Sequence, residues 1–195
     1  MSKFFGLLLR SPRHCGGEFG GSPHAALAWR WSRFDELTVF ELDAIYRARQ
    51  LVFAVEQQCA YLDADGFDAD SFHLAAWSAP SMATSTGKST SKSTGTSTST
   101  STLPLAYARV VHPGLKYVEP SIGRVITSAS ARGTGLGREL VRRAIGLTQQ
   151  AFPGQGIRIS AQTRLEAFYA DAGFVAVGMQ YLEDGILHTE MLRAG

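Results

Sequence analysis

The chain has 195 residues, 45% of them apolar and 18% charged, which fits one ordinary domain with a real core and excludes chain-wide disorder. Its 19 basic and 17 acidic residues leave a formal charge of +2, so there is no basic field of the kind a nucleic-acid-binding protein carries. No apolar run approaches the length of a membrane-spanning helix. Two cysteines, Cys15 and Cys59, are too few for a disulfide scaffold or a four-cysteine zinc site.

Residues 1–28 read as an extension outside the fold. The first 17 contain Lys3, Arg10 and Arg13 and no acid. A disordered tail is the expectation, with an organellar targeting peptide as the alternative to a cytoplasmic location. Residues 29–195 form the domain. Trp29–Phe34 alternates bulky and polar residues and predicts a strand. From Asp43 to Gln57, Ile45, Ala48, Leu51, Val52 and Val55 recur at helical spacing. A turn-rich acidic stretch follows, and then a short strand at His73–Ser78. Residues 81–102 hold eight serines and eight threonines in 22 positions. Such a segment cannot bury enough apolar surface to offset its chain entropy. It reads as an insert at a hairpin tip, with the strands before and after it as partners.

Beyond the insert, Leu105–Val111 and Ser121–Thr127 predict strands, the second broken near Gly123. Thr134–Phe152 predicts a long helix with Leu136, Leu140, Val141, Ala144, Ile145 and Thr148 on one face. Ile157–Ala161 predicts a strand, Thr163–Ala172 a short helix closed by Gly173, and Phe174–Tyr181 with Ile186–Leu192 a terminal hairpin. The order implies an α/β fold with a mixed sheet and flanking helices.

The strand ending at Val125, Ile126 and Thr127 runs through Arg132-Gly133-Thr134-Gly135-Leu136-Gly137-Arg138 into the long helix. Alternate glycines leave backbone N–H groups free to surround an anion, and the helix N-terminus adds its dipole. The ligand class is a phosphate or pyrophosphate. A Walker loop requires Gly-Lys-Ser/Thr, whereas Gly137 is followed by Arg138 and Glu139. In a dinucleotide fingerprint the third glycine would come one position later. The remaining pattern, Arg132-x-x-Gly135-x-Gly137, resembles the acetyl-CoA pyrophosphate loop of the GCN5-related N-acetyltransferases (the GNAT superfamily). Ala167-Phe168-Tyr169 and Gly173-Phe174 look like the same superfamily's later motif, with Gln162 where an asparagine is usual. Val52 to Gly66, Ala106 to Arg109, Ile122 to Ile126 and Tyr181 to His188 look like its ElaA-like branch. The insert and the first 28 residues lie outside the resemblance.

The resemblance implies a GNAT-type sheet with splayed central strands and direct acetyl transfer from acetyl-CoA, as co-substrate, to an amine on a small molecule or a protein. No metal is expected, and the charge balance and apolar pattern leave no expectation of a nucleic-acid or membrane partner. Val125, Ile126 and Thr127 would face the pantetheine arm, with Gln162 nearby. Tyr169 is the expected general acid for the leaving thiolate, and Glu56 is the candidate base. Asp63, Asp65, His73 and Arg109 are candidates for the acceptor wall. A non-catalytic acyl-CoA-binding module stays open as the alternative. The residues leave the oligomeric state undetermined.

Overall fold

The computed structural model describes residues 27–78 and 102–195. The extension, apart from Leu27 and Ala28, and the insert, apart from Thr102, lie outside the described residues. The strands are β1 (Leu27–Arg33), β2 (Ser71–Ser78), β3 (Ala106–Val111), β4 (Ser121–Thr127), β5 (Ile157–Gln162), β6 (Val175–Ala176), β7 (Tyr181–Glu183) and β8 (Ile186–Arg193). The helices are α1 (Val39–Gln50), α2 (Leu136–Ala151) and α3 (Glu166–Ala170). The strands form one sheet in the order β1-β2-β3-β4-β5-β8-β6, with β7 pairing β8.

Alternation within the central strands decides which helix covers which face. Leu74, Ala76, Ala106, Ala108 and Val110 pack against Leu136, Leu140, Val141, Ala144 and Ile145 of α2. The intervening residues Ala75 and Tyr107 turn to the other face and meet Ile45, Ala48, Val52 and Phe53. Strand β3 is buried along its whole length, as a strand covered on both faces must be.

Helix α1 begins at Val39, four residues before the start predicted from apolar spacing. A capping box sets this start: Glu41 N–H donates to Thr38 Oγ1 at 3.2 Å, and Thr38 N–H donates to Glu41 Oε2 at 2.9 Å. At its other end the helix widens into a π-helical segment, Leu51–Glu56, with Gln57 N–H bonded to Val52 O at 3.0 Å. A widened turn re-aims the residues after it, and such turns concentrate at functional sites.

Two other elements differ from expectation. The predicted helix at Thr163–Ala172 is a 3₁₀ turn, Thr163–Leu165, followed by the one-turn α3. The predicted strand Phe174–Tyr181 is two short strands, β6 and β7, both paired to β8. The expected hairpin across the insert is present: β2 and β3 pair antiparallel from Ser71↔Val111 to Ala76↔Ala106. Immediately after the insert, Leu103 packs on the α1-side cluster. Replacing residues 81–102 with a short turn while keeping Leu103 is therefore expected to leave the thermal midpoint within about 4 °C of wild type, as for a change of under 1 kcal/mol. A larger drop in a calorimetric scan would show that the segment carries structure.

Candidate active site

Strands β4 and β5 run parallel but pair only at Ser121↔Arg158. Beyond that point they part, while β5 stays zipped to β8 from Ile157↔Arg193 to Gln162↔His188. A register shift between Tyr107 and Arg109 puts a bulge in β4, which stays paired to β3 on both sides of it, and Arg124 takes a left-handed φ of 52°. Such bulges re-aim side chains next to active sites. The resulting cleft holds about 400 Å³. Val125, Ala161, Leu165 and Tyr169 line one part of it, and Tyr61, Lys116, Tyr117, Glu183 and His188 another.

The glycine loop follows the open end of β4. Gly133 and Gly135 have φ of 76° and 89°, a region that strains any residue with a Cβ. Gly135 caps α2, a helix of 16 residues, whose first N–H groups lack intrahelical acceptors by the geometry of any helix start. Leu136 anchors the loop by burying its side chain in the α2-side core, so only its backbone can serve a ligand. Thr134 Oγ1 donates to Ala131 O at 2.7 Å and pins the turn. Ile126 likewise points into the core beneath α1. Arg138 faces Asp171 at 3.3 Å with both side chains exposed.

Glu56, the expected base, is absent from the cleft lining. Its carboxylate pairs with Arg132, whose guanidinium also donates to Thr127 O at 3.2 Å. The π-helical segment ends at Glu56 and sets its carboxylate against Arg132 rather than in the cleft wall. Gln162 lines the cleft, and its side chain is doubly engaged: its Nε2 donates to Gln57 Oε1 at 3.0 Å, and Arg164 Nε donates to its Oε1 at 2.9 Å.

The acidic turn after α1 has a different role from the one expected. Three arginines and three aspartates interlock there. Arg49 bonds Asp63 at 2.8 Å and Asp68 at 2.6 Å. Arg109 grips Asp65 in bidentate fashion at 2.6 and 2.7 Å and reaches Asp68 at 3.1 Å. Arg124 lies 3.0 Å from Asp65 and 2.8 Å from Asp63; the second contact is an ion pair without hydrogen-bond geometry. Burial works against the Asp65 charge, but the bond and charge of Arg109, with Arg124 behind it, hold its pKa down at about 2. Asp63 and Asp65 are thus committed to arginines rather than free for an acceptor. Arg109 and Asp65 do line the cleft, as fixed wall.

His73 is corrected as well. It is buried and outside the cleft. Its Nε2 donates to Asp68 O at 3.0 Å, which leaves Nδ1 to accept from Tyr107 Oη at 2.8 Å. Burial lowers its pKa and keeps the ring neutral. Arg49 is an addition to the expected set. Its signal was a charged residue inside the apolar stripe Ile45, Ala48 and Val52. Ser160 and Tyr181, joined by a 2.5 Å hydroxyl contact, gave no sequence signal, because the terminal hairpin that brings them together is irregular.

Tyr169 lies on α3. It is 7% exposed, lines the cleft, and stands edge-on to Phe168 and Phe174. Burial alone pushes its pKa up to about 12, so the phenol holds its proton at neutral pH.

Parted parallel strands, a glycine loop capping the following helix and a buried phenol in the gap define a GNAT-type acyl-CoA-dependent acyltransferase scaffold. A family model described as an acetyltransferase (GNAT) domain matches residues 105–193. A UPF0039 protein from Synechocystis is 38% identical over 164 residues, covering 84% of this chain and 93% of the relative. The crystal structure of Escherichia coli ElaA superposes with a TM-score of 0.69 at 31% identity, covering 86% of this chain and 99% of that one. An acyl-CoA N-acyltransferase from Pseudomonas aeruginosa gives a TM-score of 0.72 at 36% identity, with the same coverages. The chain belongs to the UPF0039/ElaA family of GNAT proteins. The residues present fit an acyl-CoA: glycines at positive φ and Arg132 and Arg138 suit its phosphates, and the parted edge of β4 suits its extended amide arm.

Two outcomes follow for this site. Gly135→Asp forces a side chain into a left-handed backbone and sets a carboxylate beside the phosphate cradle. It is expected to abolish acetyl-CoA binding by calorimetry while the circular dichroism spectrum stays native. The depressed Asp65 pKa stabilises the fold fully above the ordinary aspartate range near 3.8. That stabilisation is lost as pH falls from there through about 2. Asp65→Asn is therefore expected to lower urea stability at pH 7 and to flatten the acid limb of stability against pH.

Proposed function

We propose that the protein is an acetyl-CoA-dependent N-acetyltransferase that passes the acetyl group directly to a primary amine. The observation that carries this reading is the parting of β4 from β5 with Tyr169 in the wall of the gap and the glycine loop at its end. Backbone groups of Val125 and Thr127 on the parted edge can pair with an extended amide chain as a further strand would. An N–H there, aimed at the thioester carbonyl, would stabilise developing oxyanion charge by about 3 kcal/mol. Holding both reactants in one cleft supplies much of the remaining acceleration.

Tyr169 gives its proton to the departing sulfur. Its environment suits that role, since a donor must be protonated and, among the described residues, no charged partner competes for the phenol's hydrogen. Glu183 and Asp184 line the acceptor part of the cleft and have no cationic partner within ion-pair distance among the described residues. They support a cationic acceptor, the part first expected of Asp63 and Asp65. The amine meets them as ammonium and must lose its proton before attack.

The test is release of free CoA from acetyl-CoA across a panel of primary amines that includes polyamines, amino-acid amides and lysine peptides. Turnover with at least one amine is expected. Tyr169→Phe keeps the ring and removes only the hydroxyl. It is expected to leave acetyl-CoA affinity nearly unchanged and to cut turnover roughly 10²-fold. The loss should shrink with an acyl donor whose thiol is more acidic. Tight acetyl-CoA binding without release of CoA to any amine would replace the enzyme by a binding module.

A further inference from the structure

One amine of the chain itself lies in the acceptor part of the cleft. Lys116 sits in the connection between β3 and β4, where Gly114 N–H bonds Tyr117 O at 2.7 Å and Gly114 takes a φ of 83°. This turn presents Lys116 and Tyr117 to the cleft that also holds Val125 and Tyr169. The Lys116 Nζ lies 5.5 Å from the centre of the Tyr117 ring. Among the described residues it is the single lysine, since Lys3, Lys88 and Lys92 fall outside them.

The neighbouring cations cannot act as nucleophiles. Arg109 and Arg124 are committed to Asp63, Asp65 and Asp68, and a guanidinium stays protonated at any working pH. Lys116 has no carboxylate within ion-pair distance among the described residues. The residue is exposed, yet the surroundings of its amine partly desolvate it and disfavour the charge. Desolvation is the largest influence. Glu183 opposes it, Arg124 and Arg109 reinforce it, Asp65 opposes it, and the net direction is downward. A lysine so placed spends more time as the neutral amine that acyl transfer requires.

Building on the proposed acetyl transfer, we infer that Lys116 is a self-acetylation site: in the absence of a better acceptor, its ε-amine takes the acetyl group from acetyl-CoA bound in its own cleft. The amine nitrogen bonds to the acetyl carbonyl carbon and the carbon–sulfur bond breaks. The nitrogen gives up one proton to solvent and the leaving sulfur gains one from Tyr169, whose phenolate is reprotonated from solvent. The products are Nε-acetyl-Lys116 and free CoA. The modification removes a positive charge from the acceptor part of the cleft and fills the space an amine would enter.

The test incubates the full chain with acetyl-CoA and no added amine, followed by tryptic digestion and mass spectrometry. Trypsin cuts the unmodified chain at Arg109, Lys116 and Arg124. Acetylation blocks the middle cut, so residues 110–124 should appear as one peptide carrying one acetyl group. Its formation should be first order and independent of protein concentration. It should be suppressed by excess of a CoA analogue lacking the sulfur and slowed roughly tenfold or more in Tyr169→Phe. An unmodified Lys116 overturns the inference. So does acetylation that the analogue leaves untouched, which is chemical acetylation from solution, or a rate that rises with protein concentration, which is transfer between copies. Turnover of an added amine with Lys116 unmodified removes this inference and leaves the proposed function standing. Absence of both removes both.

Discussion

Six charges hold one wall of the cleft in place. Arg49, Arg109 and Arg124 carry three positive charges, and Asp63, Asp65 and Asp68 three negative ones. Arg49 and Arg109 are almost entirely removed from solvent. Taking such groups out of water is expensive, and an isolated pair often returns no more than it cost. Here each carboxylate contacts two guanidiniums, so every added pair shares a desolvation cost already met. The network ties α1, the paired strands β3 and β4, and the turn between α1 and β2. Arg49 comes from α1, Arg109 and Arg124 come from β3 and β4, and the aspartates come from the turn between α1 and β2. An apolar cluster could glue the same pieces, but only with loose register. Bidentate contacts such as Arg109 on Asp65 fix position and angle together.

That rigidity matters because the cleft beside it depends on a defect in the sheet. A continuous β4–β5 ladder would fill the gap with its own hydrogen bonds. The bulge opposite Tyr107 and Arg109 bends β4, and the left-handed backbone at Arg124 swings its guanidinium toward Asp63 and Asp65. Arg124 therefore works at both levels. Its backbone opens the cleft, and its side chain locks the acidic turn against the opening. Its guanidinium also lies over the Tyr61 ring, 5.1 Å from the centroid, which extends the fixed wall to an aromatic surface.

The parts of the molecule that were legible in its sequence are those governed by local pattern. The α2 stripe, the glycines of the phosphate loop, the strand Ser121–Thr127 and the Ala-Phe-Tyr of α3 each state their structure within a few residues. The early start of α1 was also local, carried by Thr38 and Glu41, and apolar spacing alone passes over a cap. What stayed illegible depends on partners distant in the chain. Asp63, Asp65, His73 and Arg109 look free for a substrate until the fold sets three arginines and a buried tyrosine beside them. Glu56 looks like a base until the π-helical turn hands it to Arg132, 76 positions later. Charged residues near a site have two uses, holding the site together or acting in it, and only tertiary pairing separates them.

The cleft unites two titration shifts that run in opposite directions for one reason. Burial raises the pKa of Tyr169, and partial desolvation of its amine, on an otherwise exposed residue, lowers that of Lys116. In both cases the low-dielectric surroundings favour the neutral form. Acyl transfer from a thioester to an amine needs those two neutral forms, a phenol that still has its proton and an amine that has lost one. An arginine-rich wall sharpens the second requirement, because Arg109 and Arg124 oppose a third cation beside them even after their own charges are matched by aspartates. Glu183, nearer the hairpin, works the other way and favours the charged form of Lys116. The cleft is thus graded: Glu183 and Asp184, without a cationic partner in ion-pair distance among the described residues, line it near the hairpin, matched arginine–aspartate pairs form its wall and the buried phenol of Tyr169 stands further along. An incoming amine would arrive charged, meet rising resistance to that charge as it advances, and be neutral where attack takes place. The gradient comes from burial and fixed charge alone, and it acts on any amine that reaches the wall, including the one the chain itself provides at Lys116.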